Sequence, residues 1–251
     1  MESLEYHRPK TIDEALALVQ HGYPLGGGTF LTPRRLRLGS VVDLQDLDLD
    51  GLRAEADHLV LGGGLRLQTL VEVGDPIPPA LADACRLESA LNLRNMATLA
   101  GTVVAADGRS PTTTMLLAAG AVAILEPGAE KVALDDLLER RGKDMLGRLI
   151  VSFLVPRNTR LAYMQVARSP VDRPIVCAAL CDEGEAKAGR GLRLALGGFG
   201  KRPLLLTLDK RDAQAASQAA SQAYARADDA WASGEYRSAV AGILAHRLVE
   251  G

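Results

Sequence analysis

The stretch Pro24-Leu25-Gly26-Gly27-Gly28-Thr29 runs from a short predicted strand into three consecutive glycines and a hydroxyl side chain. Glycine has no Cβ atom, so it adopts positive φ readily and lets other groups approach the backbone closely. A turn that exposes several N–H groups beside a threonine hydroxyl is well suited to a pyrophosphate. No lysine follows as in a P-loop, and Leu31 stands where the dinucleotide motif needs its last glycine. Taken alone, the segment fits an ordinary tight turn equally well.

Two further segments share this character. Residues 94–102 mix small residues, hydroxyls and a glycine between apolar segments, and by themselves they fit an ordinary buried loop. Gly62-Gly63-Gly64 follows another predicted strand and repeats the glycine triplet. That second triplet is open to two interpretations, a structural turn or a loop that lines a cofactor site.

Composition and charge are typical of a globular protein that does not bind nucleic acid or span a membrane. The chain has 251 residues, of which 47% are hydrophobic and 24% charged, so it can bury a real core in one large or two to three small domains. The net charge is −2 and no basic block occurs, which argues against nucleic-acid binding. With three cysteines, no signal-like N-terminus and no apolar run of about 18 residues, we expect a cytoplasmic location without a membrane span.

The N-terminal half of the sequence predicts mixed helices and strands. Thr11 and Glu14 form a capping box for a helix that Gly22 ends. The other predicted elements are strands at 24–25, 41–44, 59–61, 121–125 and 149–155, and helices at 81–91 and 111–118.

The pattern changes near Pro156-Arg157. Three predicted strands, at 162–167, 175–181 and 192–196, precede two helices, at 212–232 and 235–249. On the last helix, the residues expected to face inward are Tyr236, Val240, Ile243, Leu244 and Leu248.

Five separated motifs follow one another along the chain. They are Tyr6-His7-Arg8-Pro9 with residues 11–15, Gly26-Gly27-Gly28-Thr29, residues 93–102, residues 163–176, and Gly234-Glu235-Tyr236-Arg237. In this order they resemble the FAD-binding medium subunit of carbon monoxide dehydrogenases, xanthine dehydrogenases and related molybdenum hydroxylases. The second and third motifs are similar to the two FAD loops of that family, and the resemblance covers nearly the whole chain.

The resemblance implies an α+β fold. Residues 1–157 would form a two-part FAD-binding domain of the PCMH/vanillyl-alcohol oxidase type, with subdomains at about 1–55 and 56–157. Residues 158–251 would form a small C-terminal α+β domain like that of carbon monoxide dehydrogenase flavoproteins, with a three-stranded sheet and helices.

The same resemblance implies an oxidoreductase subunit with FAD as cofactor. Its partners would be a molybdopterin-containing large subunit and a 2Fe-2S small subunit, with an external electron acceptor such as NAD or a quinone. No catalytic or metal-binding residue is expected in this chain. The expected cofactor-binding residues are Leu25, Gly26, Gly27, Gly28, Thr29, Phe30, Thr98, Leu99, Ala100, Gly101, Thr102, Asp107 and Gln165.

Four positions depart from the family pattern. Ala100 and Thr102 replace a glycine and an asparagine of the second loop, Pro111 replaces an aspartate, and Gln165 replaces a lysine. A second hypothesis is therefore a family member that has lost FAD and acts as a structural scaffold. A third is a free-standing module for another nucleotide, which would need the first loop only.

The remaining chemistry-bearing residues suggest no site. Cys177 and Cys181 share one face of a predicted strand, which is typical of a packed core pair rather than a metal site. The histidines are scattered, and no activated nucleophile or carboxylate pair is evident. This pattern agrees with a subunit whose chemistry belongs to its cofactor.

Overall fold

A computed structural model describes residues 4–157, 159–169, 172–183 and 191–251, apart from the side chains of 35–37 and 143–144. Its described strands form three sheets that follow one another along the chain, and helices pack against them. The α+β fold class is thereby confirmed. The sheets occupy 5–43, 52–156 and 160–208, while the domain boundaries themselves stay a prediction.

The first sheet is small and parallel, with β3 between β1 and β2. Its elements are β1 (Glu5–His7), α1 (Ile12–Leu18), β2 (Tyr23–Leu25) and β3 (Ser40–Asp43), with a 3-10 helix at Thr32–Arg37. Thr11 caps α1 as predicted, because its hydroxyl accepts a hydrogen bond from the Glu14 N–H at 3.2 Å. The end of β2 therefore delivers the first glycine triplet to one edge of this sheet.

The second sheet has five antiparallel strands in the order β4-β5-β8-β6-β7. Its strands are β4 (Leu52–Ala54), β5 (His58–Gly62), β6 (Val122–Glu126), β7 (Glu130–Ala133) and β8 (Leu149–Pro156). The helices around it are α2 (Leu67–Glu72), α3 (Pro79–Glu88), α4 (Leu91–Arg94), α5 (Leu99–Ala105), α6 (Pro111–Ala118) and α7 (Leu134–Asp144). The fully buried α6 and the central strands β5, β6 and β8 share the largest apolar cluster.

The third sheet is antiparallel with the order β12-β11-β10-β9. Its elements are β9 (Arg160–Val166), β10 (Val176–Asp182), β11 (Leu192–Gly197), β12 (Leu204–Leu208), α8 (Ala213–Tyr224) and α9 (Gly234–Glu250). Alternate residues of β10 serve two cores: Ala179 and Cys181 join the cluster around α6, and Ala178 and Leu180 join the cluster around α8 and α9. Both faces of the sheet are therefore covered.

Several sequence-based expectations need correction. The three predicted C-terminal strands are present, but the sheet also contains a fourth strand, Leu204–Leu208, which was not predicted. The helix predicted over 212–232 ends at Tyr224. The helix predicted over 81–91 ends at Glu88, because the next residue, Ser89, is extended. The supposed second loop, 94–102, contains the start of helix α5.

The prediction of which residues of α9 face inward is also partly wrong. Leu244 and Leu248 are buried, but Tyr236 and Ile243 are 44% and 50% exposed. Arg237 takes an inward place instead and is fully buried. Its guanidinium donates to the carbonyls of Ile175, Ala227 and Ala232 and to the carboxylate of Asp229. A buried charge is tolerated here because its donors are satisfied.

Candidate cofactor-binding site

A cavity of about 840 Å³ is lined by residues 19–24, by residues of the 44–50 loop and by four further segments of the N-terminal part of the chain. These segments are the turn after β2, the turn after β5, helix α5 with the residue before it, and the stretch that joins α7 to β8. The volume lies in the upper part of the range found for sites that bury small molecules and cofactors. Eight of the predicted site residues line it, namely Gly26, Gly27, Gly28, Thr29, Phe30, Thr98, Ala100 and Gly101.

The turn after β2, residues 26–30 (the first turn), packs directly against residues 96–102 around the start of α5 (the second segment). A Cβ atom added to Gly27 would lie 1.7 Å from the Met96 carbonyl oxygen, and one on Gly26 would lie 2.6 Å from the Thr98 hydroxyl oxygen. Gly28 adopts φ of +71°, a conformation that favours glycine. The glycines of this turn are therefore required for close contact between the two segments as well as for the turn itself.

The backbone donors of the first turn are not used by the protein. Within the described residues, no acceptor takes the N–H groups of residues 26–30, although the Gly28 carbonyl accepts from the Thr32 N–H at 2.8 Å. Buried or half-buried N–H groups are rarely left without an acceptor. A consecutive set of free donors on a cavity wall is the arrangement that binds an anionic group such as a phosphate.

The second segment differs, since its donors already have protein acceptors. The N–H of Leu99 donates to the Leu65 carbonyl at 2.8 Å, and that of Ala100 donates to the Gly63 carbonyl at 2.9 Å. Thr98 caps α5: its hydroxyl accepts from Gly101 at 3.2 Å, and its carbonyl accepts from Thr102 at 2.8 Å. This segment therefore shapes the cavity wall and supports the first turn.

The second glycine triplet is both a packed turn and part of the wall. The N–H groups of Gly62, Gly63 and Gly64 donate to the carbonyls of Gly51, Val151 and Leu49 at 2.8, 2.8 and 2.7 Å. Added Cβ atoms on Gly62 and Gly63 would lie 2.1 and 2.3 Å from backbone oxygens. Gly63 and Gly64 line the cavity. The second triplet is therefore a structural turn and also part of the cavity wall, but its N–H donors are not available to a ligand.

Five of the predicted site residues do not line the cavity: Leu25, Leu99, Thr102, Asp107 and Gln165. Asp107 forms an ion pair with Arg173. The Gln165 side chain accepts a hydrogen bond from the Tyr163 hydroxyl at 2.8 Å.

Pro111, one of the departures from the family pattern, has a local structural explanation. It occupies the first position of α6, where a missing N–H has no cost, and Ser110 caps that helix. Glu88 from α3 accepts hydrogen bonds from the Ser110 hydroxyl at 2.8 Å and the Thr112 N–H at 2.9 Å. A carboxylate therefore lies at this point after all, supplied by a different element, and burial raises its pKa.

Residues between 141 and 150 form a further part of the wall, and none of them was predicted as a site residue. Arg141 donates to the Val103 carbonyl at 2.6 Å and the Lys201 carbonyl at 2.9 Å, which ties α7 to the end of α5. Gly147 turns with φ of +69° before β8 begins. The only sequence signal was a glycine shortly before a predicted strand, which is too common to indicate a site.

The charged residues of the wall favour an anion. Arginines Arg66, Arg141 and Arg148 line the cavity, whereas Asp50 is its one carboxylate among the described residues. Arg148 forms an ion pair with Glu130, which does not line the cavity. Burial lowers the pKa of Arg141 from its usual value, and three main-chain carbonyls solvate its charge.

Within the described ranges, no cluster of His, Cys, Asp or Glu could hold a metal ion. The cysteines are buried and free, and burial raises the pKa of the Cys177 thiol to about 11 and that of Cys85 to about 12. Such thiols stay protonated near neutral pH and are poor nucleophiles. No helix in the described part of the chain is long and apolar enough to cross a bilayer.

Known proteins resemble this chain over nearly its whole length. The uncharacterised protein YgfM of Escherichia coli (strain K12) is 28% identical over 249 residues, covering 96% of this chain and 93% of that protein. The carbon monoxide dehydrogenase medium chain of Afipia carboxidovorans is 27% identical over 278 residues, covering 99% and 96%. In the structure of reconstituted CO dehydrogenase from Oligotropha carboxidovorans, one chain matches with a TM-score of 0.81 and 26% identity, covering 99% and 96%.

The profile of the family described as "FAD binding domain in molybdopterin dehydrogenase" matches residues 2–158, which is more than half of the chain. That match includes both glycine triplets, helix α5 and the wall at 141–150. The chain therefore belongs to the family of FAD-binding domains of molybdopterin dehydrogenases, whose cofactor is FAD.

Proposed function

We propose that this chain holds FAD in the 840 Å³ cavity and serves as the FAD-carrying, electron-transferring subunit of a molybdenum hydroxylase-type dehydrogenase. The observation that carries the proposal is the set of unused N–H donors at residues 26–30, on the wall of a cavity large enough for a cofactor. Family membership identifies the cofactor for which such a site is built.

The residues of the cavity fit this cofactor in three respects. The first turn would bind the diphosphate through its N–H groups and the Thr29 hydroxyl. Gly26 and Gly101 present no Cβ atom on the wall. The apolar side chains of Phe30, Val104 and Leu146, which are 45%, 42% and 80% exposed, would pack against the flat parts of the nucleotide and exclude water.

Bound FAD would supply the redox chemistry. Electrons would originate at a molybdenum centre of a large subunit and pass through 2Fe-2S clusters of a small subunit to the flavin. They would then reach an external acceptor such as NAD or a quinone. The chain itself would bind and orient the nucleotide and control access to it.

The second segment supports a competing function. Its N–H groups at 99–102 are all used within the protein, and Ala100 adds a methyl group to the cavity wall. If these features prevent FAD binding, the chain would serve as a scaffold that holds the other two subunits together without a flavin.

Purification of the native complex distinguishes the two functions. The complex is precipitated with acid, and any released flavin is identified and quantified against the amount of this chain. We expect close to one FAD per chain, together with a molybdopterin subunit and a 2Fe-2S subunit. A complex that releases no flavin but still contains both partners would establish the scaffold, and a chain purified without partners and with another nucleotide would refute both functions.

A further inference from the structure

We propose that Arg66 supplies the positive charge that binds the diphosphate of the nucleotide in this cavity. The inference rests on the proposed function and deepens it, because it names the residue that neutralises the most polar part of the ligand. Three observations support it. Arg66 lies on the cavity wall beside the first turn, it occupies a helix N-cap position where arginine is not preferred, and its guanidinium has no carboxylate partner among the described residues.

Arg66 lies beside the two segments that meet at the cavity. Its backbone pairs with Thr98 in an isolated antiparallel bridge. Its guanidinium donates a hydrogen bond to the Met96 carbonyl, the same carbonyl against which Gly27 is packed. The charge is thereby fixed on the cavity wall next to the first turn.

The identity of this residue is not explained by helix α2, which it precedes. Arg66 occupies the N-cap position of Leu67–Glu72 and forms no side-chain cap. Serine, threonine, aspartate and asparagine are preferred there, because their oxygens accept from the first helical N–H groups. A guanidinium has no acceptor and places a positive charge at the end of the helix where negative charge is favoured. A residue that breaks a local rule in this way often serves function.

Nor is Arg66 explained by an ion pair. Within the described residues it forms no salt bridge, whereas Arg148 on the same wall pairs with Glu130 and Arg141 donates to three carbonyls. Apart from the bond to Met96, its donors have no acceptor in that part of the chain. An arginine with free, planar donors matches the oxygens of a phosphate group in geometry and in charge.

FAD titrations of the full-length apo-protein test the inference, with flavin fluorescence as the readout in low and high salt. We expect Arg66→Ala to bind FAD roughly ten- to a hundredfold more weakly, and Arg66→Lys to recover part of the loss. The matched control is Arg86→Ala, which removes an arginine paired with Asp83 outside the cavity and should leave affinity unchanged. Thermal unfolding checks that all variants are folded.

The salt dependence separates a charge contact from a purely structural role. If Arg66 neutralises phosphate, the affinity of the wild-type protein falls as salt rises, and that fall is smaller in Arg66→Ala. Equal FAD affinity of Arg66→Ala and wild type, or an unchanged salt dependence, would overturn the inference while leaving the proposed function intact. Failure of the wild-type protein to bind FAD at all would instead overturn both, and the two outcomes are distinguishable in the same titration.

Discussion

Residues 26–28 and residues 62–64 carry the same three glycines after a strand, but their backbone groups are used differently. The donors of the second triplet all bind carbonyls of neighbouring segments at 2.7–2.8 Å. Those of the first triplet have no acceptor within the described residues. Both runs contact backbone so closely that a Cβ atom would collide with it.

The difference separates two reasons for a glycine run. At residues 62–64 the missing Cβ atoms allow the chain to pass between Leu49 and Ile150, so the triplet belongs to the packing of the fold. At residues 26–28 the same property seats the turn on Met96 while its donors remain free for a ligand. We therefore expect changes in the first run to affect binding and stability, and a change at Gly62, the member of the second run that does not line the cavity, to affect stability alone.

Gly27→Ala should have the largest effect. Its new Cβ atom would lie 1.7 Å from the Met96 carbonyl oxygen, so the turn must move away from the second segment. We expect a loss of about 3 kcal/mol or more in the free energy of unfolding. In protein that remains folded, FAD affinity should fall about a hundredfold, as measured by denaturant unfolding and flavin titration.

The control for this variant is Gly39→Ala, since a Cβ atom there would meet nothing within 4 Å. It should keep both the stability and the affinity of the wild-type chain. Normal FAD affinity in Gly27→Ala would contradict the role of the first turn as the diphosphate-binding element.

Gly62→Ala should lower stability without lowering affinity. The new methyl group would lie 2.1 Å from the Leu49 carbonyl oxygen, and Gly62 does not line the cavity. We expect a loss of about 2–3 kcal/mol, measured by urea unfolding, and unchanged FAD affinity at a temperature where the variant is folded. Gly51→Ala, whose Cβ would lie in open space, is the matched control. A large loss of FAD affinity in Gly62→Ala would contradict the conclusion that the two glycine runs have different roles.

The sequence could predict the presence of both turns but not the difference between them. Glycine triplets, flanking strands and the order of the motifs are local properties, and they led to the family and to eight residues on the cavity wall. Whether an N–H group is free depends on distant partners such as Leu49 and Val151, which no local pattern identifies. The wall at 141–150 was missed because its one local signal, a glycine before a predicted strand, is too common to indicate a site.

The fold shows the same limit. Strand 204–208 was missed although its sequence, Leu-Leu-Leu-Thr-Leu, is apolar, because it is a short edge strand whose assignment depends on pairing with β11. Tyr236 and Ile243 were placed inside by helical periodicity, but the fully buried Arg237 shows that the inner face of α9 is rotated from the apolar stripe. The Arg237 guanidinium can be buried there because oxygens from other segments accept its hydrogen bonds, and such partners are not visible in a helical pattern.

Thr98, whose side chain lies against Gly26 of the first turn, tests what holds the start of α5 in place. Its hydroxyl caps α5 through the Gly101 N–H, and valine has the same shape without the acceptor. We expect Thr98→Val to cost about 1 kcal/mol of stability in urea unfolding. Thr98→Ser keeps the hydroxyl and should retain most of the cap. If Thr98→Ser lowers stability and Thr98→Val does not, methyl packing rather than capping holds this residue.

The smallest expected effect concerns the loop that covers the second triplet. Asp46 lies on the loop that brings the Leu49 carbonyl to the Gly64 N–H, and it binds Arg8 through two hydrogen bonds of 2.5 and 2.8 Å and also binds Lys10. The hydrogen bonds from these cations lower the pKa of the Asp46 carboxyl to about 2. The corresponding stabilisation is present above the ordinary carboxyl pKa of about 3.9 and is lost as pH falls through about 2.

Asp46→Asn should therefore flatten the dependence of the unfolding midpoint on pH between about 4 and 2, with little effect on FAD affinity at neutral pH. Asp57→Asn removes an exposed carboxylate that forms no salt bridge among the described residues, so it serves as the charge-matched control. Because the Asp46 contacts are exposed to solvent, salt should reduce the difference between the two variants. If the unfolding midpoints of Asp46→Asn and the wild type depend on pH in the same way below about pH 4, the contacts of Asp46 with Arg8 and Lys10 do not stabilise the fold.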